Sequence, residues 1–297
     1  MLLEDKEKYF VLNNFRKIPK LGLGTFNSFG NELINVVKLA SEIGYQLFDT
    51  SMAYQNEKAL SKGLWSNCFG VANSEKRKKY CITSKLFLDD CINNREYTGL
   101  KNSLKKLNTD YIDNYLLHWA LPDKFVKNYK EMEKFYYDGL VRTIGVSNME
   151  IHHLERLINE CDVIPAINQV EITPLFTQKP LLDFCKKHNI LVMAYTPFAR
   201  MDERLFTNEK LISISKKYNK YPTQIILKWN IQQGRCVIPK TANPERLKDN
   251  FNIFDFMISD EDLNIIDSIN ENVRVRFHPD VYPVEWEKKY ANIKTTL

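Results

Sequence analysis

Several features are missing from this chain of 297 residues, and each absence removes a class of protein. No run of 18 apolar residues occurs. The opening residues, Met-Leu-Leu-Glu-Asp-Lys-Glu-Lys, lack the apolar segment of a leader peptide. A cytosolic protein without a membrane span is therefore expected. The six cysteines (Cys68, Cys81, Cys91, Cys161, Cys185 and Cys236) contain no C-x-x-C pair. Their scatter fits neither a zinc site nor a secreted disulfide framework, and no metal is expected. Cys81, Cys185 and Cys236 sit in apolar segments as small core residues. The net charge of +5 is modest and no dense basic run is present, which argues against nucleic acid as a partner. The short cluster Lys76-Arg-Lys-Lys79 reads as a solvated loop. Linkers, repeats and low-complexity tracts are absent, so residues 1–297 read as a single domain.

What is present is a regular alternation. Residues 9–12 and 15–18 form an expected hairpin about a turn at Asn13-Asn14, ended by Pro19. Short apolar strands then follow at 21–26, 45–48, 80–84, 111–117, 142–147, 166–171, 191–195 and 236–239. Between them lie segments with helical spacing, for example Leu33, Val36, Val37, Ala40 and Ile43, stopped by Gly44. Further helices are expected at 56–65, 94–107, 123–138, 150–159, 179–187, 207–218, 222–233, 244–251 and 259–270. The tail 271–297 is aromatic and reads as a loop, a candidate lid or pocket wall. Near-continuous apolar strands are those of a parallel sheet buried on both faces. Alternating strands and helices leave two α/β architectures, a closed barrel or an open doubly wound sheet. No G-x-G-x-x-G follows the first strand, and singular polar residues gather at the ends of many strands. The expected fold is an α/β (β/α)8 TIM barrel with an N-terminal β-hairpin and extra helices and loops at its C-terminal side.

Those polar residues make a proton-transfer set. Asp49 and Tyr54 follow one strand, Lys85 a second and His118 a third. A carbonyl that accepts hydride develops negative charge on oxygen and needs a proton donor within hydrogen-bond reach. The reference pKa of tyrosine, about 10, is high for that work. A neighbouring ammonium is expected to depress it, a carboxylate to hold the ammonium, and an imidazole to orient the substrate. Each group also admits a plainer reading: Asp49 and Lys85 as a structural ion pair, Tyr54 and His118 as core residues. Their joint occurrence at consecutive strand ends favours the relay.

The motifs around these residues resemble the aldo-keto reductase family. Asp49-Thr-Ser-x-x-Tyr54-x-Asn-Glu57, Thr83-Ser-Lys85 and Leu117-His-Trp119 are similar to its acid–tyrosine, lysine and histidine motifs. Gly145-Val-Ser-Asn148 and Asn168-Gln169 resemble its nicotinamide-carboxamide segments. Ile238-Pro-Lys-Thr241 with Arg246 and Asn250 resembles its adenosine-phosphate site. The likeness runs in family order from about Gly22 to Asn250. It implies Tyr54 as general acid with Asp49, Lys85 and His118 as partners. It also implies a cofactor site built from Gly24, Thr25, Asp49, Ser147, Asn148, Gln169, Tyr195, Thr196, Pro197, Phe198, Lys240, Thr241, Asn243, Arg246 and Asn250. Tyr195 would stack on the nicotinamide, and the cations Lys240 and Arg246 suit a ribose 2′-phosphate, so NADPH is favoured over NADH. Phe26, Phe87 and Trp119 would line an apolar substrate pocket with Tyr54 and His118; Trp286 and Tyr290 in the tail are further candidates.

The chain departs from the family at several points. Phe26 and Phe87 stand where tryptophan is common, Ala120-Leu-Pro122 follows Trp119, Asp249 replaces a longer glutamate, and Thr-Pro-Phe-Ala-Arg follows Tyr195. The implied activity is NADPH-dependent reduction of aldehydes and ketones by a monomer. Two alternatives stay open: a non-catalytic NADP(H)-binding regulatory protein on the same fold, and a barrel aldolase using Lys85 in a Schiff base.

Overall fold

The structure is a computed structural model that describes residues 8–65 and 75–295, with side chains through Lys289. Cys68 and the side chain of Tyr290 lie outside the described residues. Strands β1 (Tyr9–Val11) and β2 (Lys17–Pro19) pair antiparallel, with Tyr9 opposite Pro19. The turn is wider than the expected Asn13-Asn14 pair. Leu12 N–H donates to Arg16 O across it (2.9 Å), and Phe15 takes a left-handed φ of 64°. Asn14 Oδ1 accepts from Arg16 N–H within the turn (3.3 Å), and both asparagines also bond outward. Asn13 donates to Pro165 O (3.3 Å), and Asn14 to Arg142 O (3.3 Å) and Thr143 Oγ1 (3.1 Å). Pro19 closes β2 from within the strand rather than beyond it.

Eight parallel strands follow: β3 (Gly22–Gly24), β4 (Leu47–Asp49), β5 (Cys81–Leu86), β6 (Ile112–Leu117), β7 (Val141–Ser147), β8 (Ile167–Glu171), β9 (Leu191–Tyr195) and β10 (Cys236–Val237). Each pairs with its neighbours in chain order, without the reversal that defines an open doubly wound sheet. The ring closes where Leu21 bridges Val237, Val237 N–H donates to Lys20 O (2.9 Å) and Gly24 N–H donates to Pro239 O (3.0 Å). This is the (β/α)8 barrel.

Strand alternation sorts the side chains. In β4, Phe48 faces the outer helices, while Leu47 joins a separate inner cluster with Leu12, Ile18, Leu116, Ile167 and Met193. Leu12 and Ile18 belong to the hairpin, so the hairpin plugs the N-terminal end of the barrel. Asp49, two residues after Leu47, shares its face one step nearer the other mouth. Packing therefore closes one end and leaves the C-terminal end for polar groups.

Some expected elements differ. The helix expected at 94–107 is found as Glu96–Leu107, and a short added helix, Leu88–Ile92, precedes it, the two parted by Asn94 at φ 51°. An added helix, Glu203–Phe206, precedes Glu209–Tyr218. The Lys76-Arg-Lys-Lys79 cluster is not a solvated loop. Arg77, on the helix Glu75–Lys78, is fully buried and donates to Asp113 Oδ2 (2.7 Å), Thr109 Oγ1 (2.8 Å) and the carbonyls of Tyr80 (2.9 Å) and Tyr111 (3.0 Å). A buried guanidinium needs such a set of acceptors, and it has them. The tail is a loop only as far as residue 281. Residues Tyr282–Thr295 are helical, with Pro283 in the first turn where proline is tolerated. No helix among the described residues is long and apolar enough to cross a membrane.

Candidate active site

The strand β4 delivers Asp49 to the open mouth, and the chain then turns sharply. Ser51 Oγ accepts from Ala53 N–H (3.2 Å), capping a single 3-10 turn, Met52–Tyr54, that Gln55 ends at φ 55°. Asn56 holds the turn by donating to Thr25 O (2.8 Å) and Ser28 O (3.0 Å), while Thr50 Oγ1 donates to its side-chain oxygen (2.6 Å). The turn folds Tyr54 back toward β5. There Lys85, one residue before the strand ends, points inward and has no solvent exposure.

The Lys85 ammonium donates to Asp49 Oδ1 (2.8 Å) and Oδ2 (2.9 Å), to Thr50 O (2.8 Å) and to Tyr54 Oη (3.3 Å). Gln169, from β8, adds a donor to Asp49 Oδ2 at 2.7 Å. His118 follows β6, with its ring 5.8 Å from that of Tyr54 and its Nδ1 3.1 Å from Ser51 Oγ. Four residues from three strands thus meet at one point.

Burial controls their charge states. It pushes the Asp49 carboxyl up and the Lys85 ammonium down, each opposed by the other's attraction. It also pushes His118 well below its usual range, helped by the Lys85 and Arg276 charges, so the imidazole is neutral. The expectation that Lys85 depresses the Tyr54 pKa is not met. Burial, reinforced by the Asp49 carboxylate, holds the phenol well above 10, and Arg276 is what opposes that rise.

Above this cluster lies a cavity of about 1470 Å³ that reaches the loops after β9 and β10. Of the expected cofactor residues, Gly24, Asp49, Ser147, Asn148, Gln169, Tyr195, Thr196, Pro197, Phe198, Lys240, Thr241, Arg246 and Asn250 line it. So do Phe26, Phe87, His118 and Trp119 of the expected substrate pocket. Thr25 and Asn243 do not. Thr25 is buried and donates its hydroxyl to Asp49 O (2.9 Å), fixing the β4 turn. Asn243 spends its side-chain oxygen on Arg246 N–H (3.0 Å), capping the helix Pro244–Phe251.

Tyr195 Oη donates to Asn148 Oδ1 (2.6 Å), and Asn148 donates to Ser147 Oγ (3.1 Å) and His118 O (3.1 Å). This chain of bonds fixes an aromatic ring beside the Asn148 amide and the Ser147 hydroxyl. Lys240 and Arg246 are exposed on the rim, and among the described residues neither has an ion-pair partner. Beyond β9, Thr196, Ala199, Arg200 and Met201 all hold positive φ, strained backbone of the kind that gathers at ligand sites.

The tail supplies residues that sequence reasoning missed. Arg276, Phe277 and Tyr282 line the cavity together with Trp286. Tyr282 packs against Trp119 (4.5 Å between ring centres) and Trp286 against Phe87 (5.1 Å), while the Trp286 indole N–H donates to Asp89 (2.8 Å). The spacing Arg274-Val-Arg276-Phe277 in an otherwise aromatic tail was the available signal.

A sequence model described as the Aldo/keto reductase family matches residues 20–271. The chain is similar to the 9,11-endoperoxide prostaglandin H2 reductase of Trypanosoma cruzi (strain CL Brener), 39% identical over 272 residues that span 91% of this chain and 94% of that protein. It is similar to the glyoxal reductase of Bacillus subtilis (strain 168), 40% identical over 270 residues, 91% of this chain and 95% of that one. Among solved structures, the Bombyx mori aldo-keto reductase in complex with NADP superposes with a TM-score of 0.82 at 32% identity, over 92% of this chain and 95% of that chain.

Proposed function

The chain belongs to the aldo/keto reductase family, and from that premise we propose that it reduces small aldehydes and ketones to alcohols with NADPH, residues 1–297 acting as one domain. The observation that carries the reading is the contact of Tyr54 Oη with Lys85 Nζ at 3.3 Å, at the floor of a cavity whose rim bears Lys240 and Arg246, neither with an ion-pair partner among the described residues. Asn148, Ser147, Gln169 and Tyr195 would hold a nicotinamide and its carboxamide, and Lys240 and Arg246 a 2′-phosphate. When bound, NADPH supplies the hydride.

The protein's own part is the proton. Ser51 Oγ, which accepts from Ala53 N–H, lies 3.1 Å from His118 Nδ1, and in the proposed tautomer its hydroxyl donates to that nitrogen. The imidazole Nε2–H is then the donor that orients the substrate oxygen. As negative charge grows on that oxygen, Tyr54 releases its proton to it, since an alkoxide is more basic than a phenolate. The phenolate left behind is stabilised by the Lys85 ammonium, which Asp49 and Thr50 O keep charged and in place. Phe26, Phe87 and Trp119 give apolar walls that by themselves discriminate little among carbonyls. The B. subtilis relative is named for a small dicarbonyl, which fits such a pocket.

The test is a panel of aldehydes, ketones and dicarbonyls assayed with NADPH and with NADH, with cofactor binding read in parallel by fluorescence quenching. Oxidation of NADPH in preference to NADH supports the reading. Tight NADPH binding with no oxidation across the panel favours the non-catalytic binding protein. Borohydride trapping of a carbonyl on Lys85 would favour the aldolase.

A further inference from the structure

The tail segment that crosses the open mouth is pinned from below. Glu171, buried at the end of β8, accepts the backbone N–H groups of Val275 (2.8 Å) and Arg276 (3.0 Å), and Arg274 pairs with Glu150 (2.7 Å). So held, Arg276 lays its guanidinium over Phe26, 5.0 Å from the ring centre, and beside Phe277 at 5.5 Å. Phe26 in turn stands edge-on to Tyr54 with 5.1 Å between ring centres. One aromatic ring therefore separates this cation from the phenol of the relay. Its charge reaches Tyr54, His118 and Tyr195, which places it toward the reacting end of the cavity.

Arg276 is half-buried, and among the described residues no carboxylate lies within ion-pairing distance of its guanidinium. Glu171, which feels the Arg276 charge, spends its oxygens on backbone N–H groups, and Asp89, on the same cavity, accepts from the Trp286 indole. A planar guanidinium held on an aromatic wall of the cavity suits a carboxylate or phosphate group. Lys240 and Arg246, after β10, remain for a cofactor phosphate.

We propose that Arg276 selects carbonyl substrates that carry an anionic group, a carboxylate or a phosphate monoester, a short chain away from the carbonyl that is reduced. The inference rests on the reductase reading and narrows its substrate class. The carbonyl would sit at Tyr54 and His118, and the anion would span Phe26 to reach the guanidinium.

The experiment compares 4-oxobutanoate with its neutral methyl ester, and glyceraldehyde 3-phosphate with glyceraldehyde, for the wild type, Arg276→Met and Arg276→Lys. The expected result is a wild-type preference of at least about tenfold in kcat/KM for an anionic member. That ratio collapses toward one in Arg276→Met, mainly through KM, and is partly restored in Arg276→Lys. Whichever pair shows the preference identifies carboxylate or phosphate as the natural group. Binding of glutarate, a dicarboxylate that cannot be reduced, to the NADP-loaded protein gives a readout independent of turnover and is expected to weaken in Arg276→Met. No charge preference in the wild type, equal losses on charged and neutral members, or a loss of NADPH affinity in Arg276→Met would each overturn the proposal. If nothing on the panel is reduced but glutarate binding still depends on Arg276, the anion site stands and the reductase reading falls.

Discussion

Four ionisable side chains sit within hydrogen-bond or ring contact of one another, and three of them, Asp49, Lys85 and His118, are almost wholly withdrawn from water. The geometry was legible as a set of strand-end residues; its electrostatics were not. A neighbour's charge can be guessed from a sequence, but desolvation depends on everything packed around the group, and here desolvation is the larger influence on Tyr54. The same holds for His118, whose pKa is depressed in the folded protein. Its neutral form therefore contributes stability that is complete above the unfolded value near 6.5 and is lost as pH falls through the window below it. His153, pushed down to about 4, acts in the same direction. Two outcomes follow. The melting temperature should fall on acidification below pH 6.5, as read by calorimetry. Turnover should show no loss with a midpoint near 6.5, and a descending limb there would contradict a neutral His118. At the cofactor end, Lys240→Met or Arg246→Ala should weaken NADPH by tenfold or more and NADH by little, as read by fluorescence titration; equal losses would remove the 2′-phosphate assignment.

The strands and most helices were readable because their signals are local: apolar runs for buried parallel strands, helical spacing for outer helices, Gly44 at φ 121° to stop the first. The elements that escaped have non-local causes. The helix Tyr282–Thr295 carries no clear apolar stripe, since it meets the barrel through a few aromatic rings over Phe87 and Trp119. Arg276 and Arg77 differ only in what the fold brings to them: aromatic rings for one, acceptors for the other. Gly145 shows the close fit of neighbouring strands. A Cβ built there would lie 2.6 Å from Ile167 O on β8, a backbone atom that cannot swing aside. Gly145→Ala should therefore destabilise the protein by roughly 1–3 kcal/mol in denaturant unfolding. An unchanged midpoint would mean that β7 and β8 are not as close as described.

As a whole, the molecule turns sequence distance into proximity. A hairpin plugs one end of the ring, the seam between β3 and β10 closes it, and the remaining mouth collects side chains from Gly24 to Trp286 around one cavity. The proposed chemistry depends on that convergence more than on any single motif, because Tyr54 meets the Lys85 ammonium and its Asp49 partner only where these strand ends converge. The most direct measurement is NADPH oxidation with 4-nitrobenzaldehyde by the wild type and by Tyr54→Phe, with NADPH affinity measured on both by fluorescence quenching. The wild type should turn over and the variant should lose at least about 100-fold in kcat with nearly unchanged NADPH affinity. Undiminished turnover in Tyr54→Phe would contradict the assignment of the proton to this phenol.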